Sequence, residues 1–179
     1  MRLNKKFLIK SFLIFFAFFI LIGNISAREK EFNAKVSILA NEQYVKSILR
    51  DIERAKHRIY MAMFMFKADG DRRNPSSMIE RALIRAARHG VKVYVILEKS
   101  KDDRKSIASR SNKKTAKYLK RAGIKVKFDS EERMLHTKAV VIDDIVYIGS
   151  HNLTRSGLGR NCETSVKIKS KEVADEMVN

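Results

Sequence analysis

Cysteine is almost missing from this chain: Cys162 is the only one among 179 residues. An intrachain disulfide is therefore excluded, and no paired Cys/His spacing indicates a zinc site. No Asp-rich loop indicates a calcium site, and neither an internal repeat nor a low-complexity linker divides the chain. We interpret Cys162 as a small core residue rather than a reactive thiol.

Acidic residues are also scarce, and the first 27 residues contain none. In this leader, basic residues precede an apolar stretch, residues 7–23, and small residues follow as far as Ala27. This order favours a secretory signal peptide cut after Ala27, and an uncleaved N-terminal membrane anchor through residues 7–23 is the alternative. Both interpretations place residues 28–179 outside the cytoplasm, either secreted or periplasmic, or held at the membrane.

The charge that remains is strongly basic. Without the leader, 34 Lys and Arg face 20 Asp and Glu, a net charge of +14. Twelve of these basic residues lie between Lys99 and Lys127, where only two aspartates oppose them. Such a surplus predicts an anionic partner, nucleic acid or an acidic membrane surface, and a merely solvated basic face is the alternative.

Strand-like and helix-like segments alternate after the leader. Apolar or alternating patterns predict strands at 35–39, 58–66, 91–97, 124–128, 135–142, 145–149 and 161–169. Capping residues and a helical apolar period predict helices at 41–56, from Ser77 to Gly90, at 111–122 and from about 171. Residues 28–179 therefore read as one α/β domain with a mixed β-sheet, helices on both faces and a β-hairpin near the C-terminus.

The predicted hairpin gathers polar groups at one end. Because alternate strand residues share a face, His136 and Lys138 point the same way, and Ser150 and Asn152 do likewise if the chain stays extended. The two arms are antiparallel, so the start of one lies beside the end of the other. An imidazole, an ammonium, a hydroxyl and a carboxamide therefore meet opposite the Asp143-Asp144 turn.

These residues carry a family resemblance. The stretch HTKAVVIDDIVYIGSHN, residues 136–152, resembles the HKD signature of the phospholipase D superfamily, and the order of elements is similar over most of 35–179. Since only one such motif is present, the chain is most similar to the single-motif branch that includes bacterial secreted endonucleases. Asp144 departs from the pattern, because glycine is common there, and we expect an aspartate to tolerate a left-handed turn.

The resemblance implies a phosphodiesterase that needs neither metal nor cofactor and forms a phosphohistidine intermediate. It makes His136 the nucleophile, and Lys138 and Asn152 the groups that hold the phosphoryl oxygens. Ser150 would donate a further hydrogen bond. Glu163 matches a family glutamate that holds the histidine ring.

A second imidazole is needed to protonate the leaving oxygen, and the family takes it from a second HKD motif. No other histidine of this chain is followed two places later by lysine. The resemblance therefore implies a homodimer in which two copies of His136 face each other.

Four further residues have open roles. Asp143 fits the motif's aspartate, and we interpret it as a turn residue rather than a catalytic acid. His151 is a candidate for the rim of the substrate groove. Arg72 and Arg73 either reach that groove or lie on a solvated loop.

Three functions compete at this point. A nuclease of low sequence specificity is favoured by the basic segment. A phospholipase D or phosphatidyl-transfer enzyme is the main alternative, although no apolar loop near the motif indicates an acyl-binding lip. A non-catalytic nucleic-acid-binding protein is the third.

Overall fold

Seven strands and four helices make up the part of the chain that the computed structural model describes, residues 29–102 and 105–179. Strands are β1 Lys35–Ala40, β2 Arg58–Met63, β3 Lys92–Leu97, β4 Lys125–Phe128, β5 Lys138–Ile142, β6 Ile145–Gly149 and β7 Thr164–Lys169. Helices are α1 Glu42–Arg54, α2 Pro75–Arg88, α3 Ile107–Arg121 and α4 Lys171–Glu176. The predicted signal peptide or anchor, residues 1–27 with its apolar stretch 7–23, lies outside the described residues.

All seven strands belong to one mixed sheet, in the order β1-β7-β6-β5-β2-β3-β4. Strands β2, β3 and β4 run parallel, and every other neighbouring pair is antiparallel. The predicted α/β fold is confirmed, including the hairpin of β5 and β6. Because β5 lies centrally between β6 and β2, all five of its residues are buried.

Helices cover the two faces unequally. Ile59, Met61 and Met63 of β2 alternate inward into the main core, which includes the apolar faces of α1, α2 and α3. The short helix α4 covers part of the opposite face, where Ala174 packs against Val141 and other sheet residues. The predicted helices on both faces are therefore present, with most of the core on one side.

Two helices begin earlier than predicted, and in both cases a different residue forms the cap. The N-cap of α2 is Asn74, whose side chain accepts a hydrogen bond from the Ser76 amide, with Pro75 at the first helical position. Ser77 accepts instead from the backbone of the preceding loop. Helix α3 is capped by the Ser106 hydroxyl rather than starting at residue 111.

The hairpin turn also differs in detail. Asp143, not Asp144, adopts the left-handed backbone, with φ of 50°. Cys162 is exposed, so its interpretation as a core residue was wrong. Within the described ranges, no helix combines the length and apolarity that crossing a bilayer requires.

Candidate active site

The open end of the β5–β6 hairpin brings the main sequence-predicted residues together. His136 lies two residues before Lys138, the first residue of β5, while Ser150 and Asn152 follow the end of β6. Ser150 still pairs with the neighbouring strand through its amide, which donates to the Thr164 carbonyl at 3.0 Å. This bond extends the pairing to Ser150, where the chain bends, and exposure still alternates from exposed Ser150 through buried His151 to half-buried Asn152.

The Phe64 ring forms a platform beneath His136 and Lys138. The His136 ring lies 4.8 Å from the Phe64 ring, centroid to centroid, and the Lys138 ammonium lies 5.0 Å from the same centroid. Lys138 also donates to the His136 carbonyl at 2.6 Å. The Phe64 backbone amide donates to the Thr137 carbonyl at 2.8 Å, which holds Phe64 beside His136. No sequence signal distinguished Phe64 from the other apolar residues of its strand.

Lys138 is a buried cation, only 9% exposed, whereas His136 is exposed. Burial lowers the pKa of the Lys138 ammonium, and the negative charge of Glu163 opposes part of that effect. The ammonium is therefore poorly solvated and sits beside an accessible imidazole. A phosphoryl group bound to the imidazole would supply the anion that this cation lacks.

Ser150 and Glu163 contact each other. The Ser150 hydroxyl donates a short hydrogen bond to one Glu163 carboxylate oxygen, and the Asn161 amide donates to the other at 3.0 Å. The resemblance implied that Glu163 holds the His136 ring, but in the described part of the chain it binds Ser150 and Asn161 instead. Because the Ser150 hydroxyl donates its hydrogen bond to Glu163, it does not offer that donor to a ligand.

Asn152 is the incompletely bonded residue of the group. Its side-chain oxygen is buried and has no hydrogen-bond partner within residues 29–102 and 105–179. Buried polar atoms are nearly always paired, so an unpaired amide beside exposed polar groups is typical of a ligand site. Rotation of the amide by 180° would exchange this acceptor for an NH₂ donor.

Gly149 is required by close packing. A Cβ atom at this position would come within 2.5 Å of the Thr164 carbonyl oxygen and also meet Ser165. Any larger residue would push β6 away from β7 and displace Ser150. The glycine of the motif is thus explained by the approach of two strands.

Asn41 clamps the segment that carries Glu163. The Asn41 side-chain oxygen accepts from the Glu163 backbone amide at 2.9 Å, and the Asn41 backbone amide donates to the Glu163 carbonyl at 3.0 Å. Asn41 was predicted as a helix N-cap; it occupies that position, but its side chain makes no capping bond. Its backbone, with φ of 49° and ψ of −121°, adopts a positive-φ conformation that non-glycine residues rarely take.

His151 is fully buried, so its prediction at the groove rim was wrong. Its ring stacks on Tyr44 at 4.4 Å, and its nitrogens bond to the Ser165 hydroxyl at 2.7 Å and the Asn41 carbonyl at 3.2 Å. The alternation that turns its two neighbours outward turns His151 into the core. Burial lowers the pKa of this imidazole, although the Asn41 bond opposes the shift.

Asp143 lies at the other end of the hairpin, roughly 20 Å from His136 along an extended strand. Its carboxylate accepts from the amides of Lys56, His57 and Arg58 at 2.8 to 3.0 Å. Burial would raise the pKa of this carboxyl, but the three donors outweigh it and lower the pKa. Asp143 joins the hairpin turn to the start of β2, which agrees with its interpretation as a turn residue rather than a catalytic acid.

Arg72 and Arg73 lie exposed on the loop before α2. Arg73 is 93% exposed and approaches Asp71 at 3.9 Å. Neither side chain has a bond to His136, Lys138 or Asn152 among the described residues. Their role in substrate binding remains a prediction.

Comparison with known proteins identifies the family. Residues 48–179, well over half of the chain, match the family model described as "Cardiolipin synthase, PLD-like domain". The chain belongs to the phospholipase D superfamily.

Relatives within the superfamily carry lipid-enzyme names. A phospholipase D of Rickettsia felis is 32% identical over 131 residues, which are 73% of this chain and 58% of that protein. The major cardiolipin synthase of Bacillus subtilis is 30% identical over 155 residues, 80% of this chain and 30% of that protein. The chain thus spans about three fifths of the length of the rickettsial relative.

Solved structures support the phospholipase D fold. Nuc from Salmonella typhimurium, described as a phospholipase D family member, superposes with a TM-score of 0.66 at 24% identity, over 82% of this chain and 90% of that chain. NucT from Helicobacter pylori gives a TM-score of 0.63 at 21% identity, over 82% of this chain and 92% of that chain. At these identities the likeness concerns the fold.

Helix α3 secures the loop on which this phospholipase D-like site rests, a role that sequence reasoning missed. Asn112, fully buried, accepts from the Phe66 amide at 2.7 Å and donates to the carbonyls of Phe64 and Glu98 at 2.9 Å. Thr115 accepts from Ala68 and donates to Phe66 one helical turn later. The signal was available in the three-residue spacing of Ser109, Asn112 and Thr115, which places short polar side chains along one buried face of the helix.

Glu98, another buried residue, positions the approach to His136. Its carboxylate accepts from the Leu135 amide at 2.6 Å, one residue before the imidazole. In the described part of the chain, no three His, Cys, Asp or Glu side chains converge as a metal site requires. The arrangement offers instead one accessible imidazole, one buried ammonium and one unpaired amide.

Proposed function

We propose that this chain is a phosphodiesterase that hydrolyses nucleic acid without a metal cofactor, through a covalent phosphohistidine. The observation that carries the proposal is the pairing of the exposed His136 imidazole with the buried Lys138 ammonium over one Phe64 ring. A neutral imidazole is a nucleophile, and a desolvated cation stabilises the negative charge that grows on phosphoryl oxygens.

In the first step, a ring nitrogen of His136 attacks phosphorus, so that a P–N bond forms while the bond to the leaving oxygen breaks. Lys138 and the Asn152 amide hold the non-bridging oxygens during this displacement. The leaving alkoxide takes a proton from a second imidazole, which is a general acid in this step. In the second step the same imidazole accepts a proton from water, the water oxygen attacks phosphorus, and the P–N bond breaks to restore His136.

The second imidazole comes from another protomer. All four histidines of the chain lie in its described part, and three of them are unsuited to this site. His57 adjoins Asp143 at the turn end, His89 follows α2 as its C-cap, and His151 is buried against Tyr44. A homodimer that places two His136 rings on one phosphate meets the requirement.

Charge favours nucleic acid as the substrate. Six basic residues lie along α3, the helix that holds the site loop: Arg110, Lys113, Lys114, Lys117, Lys120 and Arg121. A row of cations suits a polyanion, and binding should weaken steeply with salt as counterions return to the phosphates. The leader supports action outside the cytoplasm, in the periplasm, beyond the cell or at the membrane.

Lipid hydrolysis or phosphatidyl transfer is the second candidate. It is favoured by the names of the relatives, phospholipase D and cardiolipin synthase. Release of a free headgroup, or formation of a new phosphatidyl ester, from anionic or zwitterionic phospholipid vesicles would support this candidate over the first.

A gel assay tests the favoured activity. The full chain is incubated with single- and double-stranded DNA and RNA in excess EDTA, across a range of salt concentrations. We expect chelator-resistant cleavage that falls steeply with added salt. Complete loss of cleavage in EDTA, with recovery on adding a divalent ion, would contradict the mechanism.

A mixing assay tests the shared site. Wild-type chain is unfolded and refolded with a ninefold excess of His136→Asn, so that most wild-type chains pair with a variant. If both imidazoles are needed, activity per wild-type chain falls to roughly one tenth by random pairing. Refolding with excess His89→Ala is the matched control, and full activity in the His136→Asn mixture would argue for a monomeric site.

A further inference from the structure

Tyr118 is an exposed aromatic residue on a strongly basic helix. Its side chain is 54% exposed on α3, and Ile107 at the start of the same helix is 61% exposed. Tyr118 also lines two neighbouring surface grooves, one on each side of it. A half-exposed ring that lines both grooves offers a stacking surface to a ligand with a flat apolar face.

The first groove lies between α3 and the loop that follows β2. It has a volume of about 420 Å³, and its cations are Lys67, Arg110 and Lys114. The acid in its lining is Asp69, whose carboxylate is engaged by Arg155 and by the Ser77 hydroxyl. The groove therefore presents a net positive charge beside an aromatic ring.

This groove opens beside the active site. The Lys67 amide donates to the Leu153 carbonyl at 2.8 Å, and Leu153 directly follows Asn152. Lys67 is three residues beyond Phe64, about 10 Å along an extended chain. A nucleic-acid strand bound at the His136 imidazole would thus reach the groove a short way along its backbone from the scissile phosphate.

The second groove continues on the far side of Tyr118. It has a volume of about 340 Å³ and includes Arg88, Arg121 and Glu80. Glu80 is 7% exposed, and its Oε1 atom has no partner within the described ranges. Burial raises the pKa of this carboxyl, an effect opposed by Arg81 and reinforced by Asp69. An unpaired buried carboxyl beside a ring is suited to the exocyclic amino group of a nucleobase.

We propose that the two grooves form a track for single-stranded nucleic acid that leads from the active site, with Tyr118 as its base-stacking platform. Lys67, Arg110 and Lys114 bind phosphates near the site, and Arg88 and Arg121 bind them beyond the ring. Glu80 accepts a hydrogen bond from the base that follows the stacked one. The track rests on the proposed nuclease function and adds a strand preference to it, because only an unpaired strand exposes a base face to Tyr118.

Binding by an inactive chain tests the platform. Fluorescence anisotropy measures the affinity of the full-length His136→Asn chain for a labelled single strand of about 12 nucleotides. Adding Tyr118→Ala should weaken binding at least roughly fivefold, while Tyr118→Phe should keep it, since stacking on an aromatic ring contributes that much. Thermal melting of each variant verifies the fold, which an exposed side chain should not change.

A matched pair of lysine variants distinguishes binding along the track from nonspecific electrostatic attraction. Lys114→Ala and Lys35→Ala each remove one cation, the first in the near groove and the second on edge strand β1 at the other side of the sheet. We expect Lys114→Ala to weaken single-strand binding more than Lys35→Ala does. Equal losses, or Tyr118→Ala binding as tightly as its parent, would overturn the track.

Wild-type activity distinguishes failure of the track from failure of the nuclease proposal. If the wild type cleaves nucleic acid but the Tyr118 variants all bind equally, the track alone is wrong. If the wild type cleaves a small chromogenic phosphodiester but neither single nor double strands, the nuclease proposal fails and the track with it. Equal affinity for a duplex and a single strand would also overturn the track.

Discussion

The two ends of the β5–β6 hairpin hold buried lysines that are used differently. Lys167, on the neighbouring strand β7 and near the turn end, is 5% exposed and ion-pairs with buried Asp51. Lys138, at the open end, is 9% exposed, bonds to a backbone carbonyl and has no ion pair among the described residues. Burying a charge without a counterion is costly, so Lys138 destabilises the open end of the hairpin, as expected if it holds a phosphoryl group in the proposed reaction.

Carboxyl and amide groups show the same contrast. At the turn end, three backbone amides donate to Asp143, and the Tyr147 hydroxyl donates to Asp51 at 2.5 Å. At the open end, the Asn152 oxygen has no partner within the described ranges. Polar groups at the turn end are fully bonded within the fold, whereas Lys138 and Asn152 at the open end retain bonding capacity that the proposed reaction would use.

The largest effect should come from His136→Ala. Removal of the nucleophile should lower turnover by roughly 10⁴-fold or more, as in other enzymes that lose a covalent nucleophile. The melting temperature should not fall, because the imidazole is exposed. Diester hydrolysis and thermal melting measure the two quantities, with His89→Ala as the matched histidine control. Near-normal turnover in His136→Ala would contradict the role of His136 as the nucleophile.

The two lysines should respond in opposite ways. Lys138→Met should lower turnover by roughly 10²- to 10³-fold without loss of stability, because a desolvated charge is replaced by an apolar chain. Lys167→Met should instead lower the unfolding free energy by about 3 kcal/mol, because buried Asp51 loses its buried counterion and keeps only the half-exposed Arg50 and the Tyr147 hydroxyl as partners. Denaturant titration and turnover of the folded fraction measure both. A stable Lys167→Met, or a Lys138→Met that unfolds, would contradict the assignment of stability to Lys167 and of catalysis to Lys138.

Asn152→Ala should lower turnover by roughly 10²-fold, the loss expected for one oxyanion donor. Its unfolding free energy should stay within about 0.5 kcal/mol of the wild type, since the side-chain oxygen makes no hydrogen bond. Asn152→Ser is a matched variant that retains a donor of smaller reach and should recover part of the rate. Unchanged turnover in both variants would exclude Asn152 from the site.

Asp143→Asn should have the smallest effect, and on stability alone. We expect a loss of about 2 kcal/mol of unfolding free energy at neutral pH, because one neutral amide oxygen replaces the charged carboxylate and an NH₂ group then faces at least one backbone N–H. The pKa of Asp143 is lowered by folding, so its contribution is present above the unfolded pKa and fades as pH falls through the folded value. The difference between variant and wild type should therefore shrink below about pH 4.

Turnover by the folded fraction of Asp143→Asn should match the wild type. Denaturant titrations from neutral to acidic pH measure the stability difference. A difference that grows on acidification would contradict the sign of the shift.

The sequence alone was enough for the α/β fold, the hairpin and the convergence of His136, Lys138, Ser150 and Asn152. These follow from local rules, namely strand alternation, antiparallel pairing and the spacing of one motif. Element ends were less well predicted, as at α2, where Asn74 and Pro75 displaced the predicted Ser77 cap. Competing caps differ by too little free energy for spacing alone to choose between them.

Contacts between distant segments were decided only by the tertiary structure. Phe64 lies beneath His136, Asn112 holds the Phe64 loop, and Asn41 clamps Glu163, although at least 48 residues separate the partners in every case. Local patterns assign each residue a face but not a partner, because the partner depends on how strands are ordered and helices packed. His151 is a different case, because strand alternation already turned it away from Ser150 and Asn152, and the tertiary structure added that this opposite face is the core beside Tyr44.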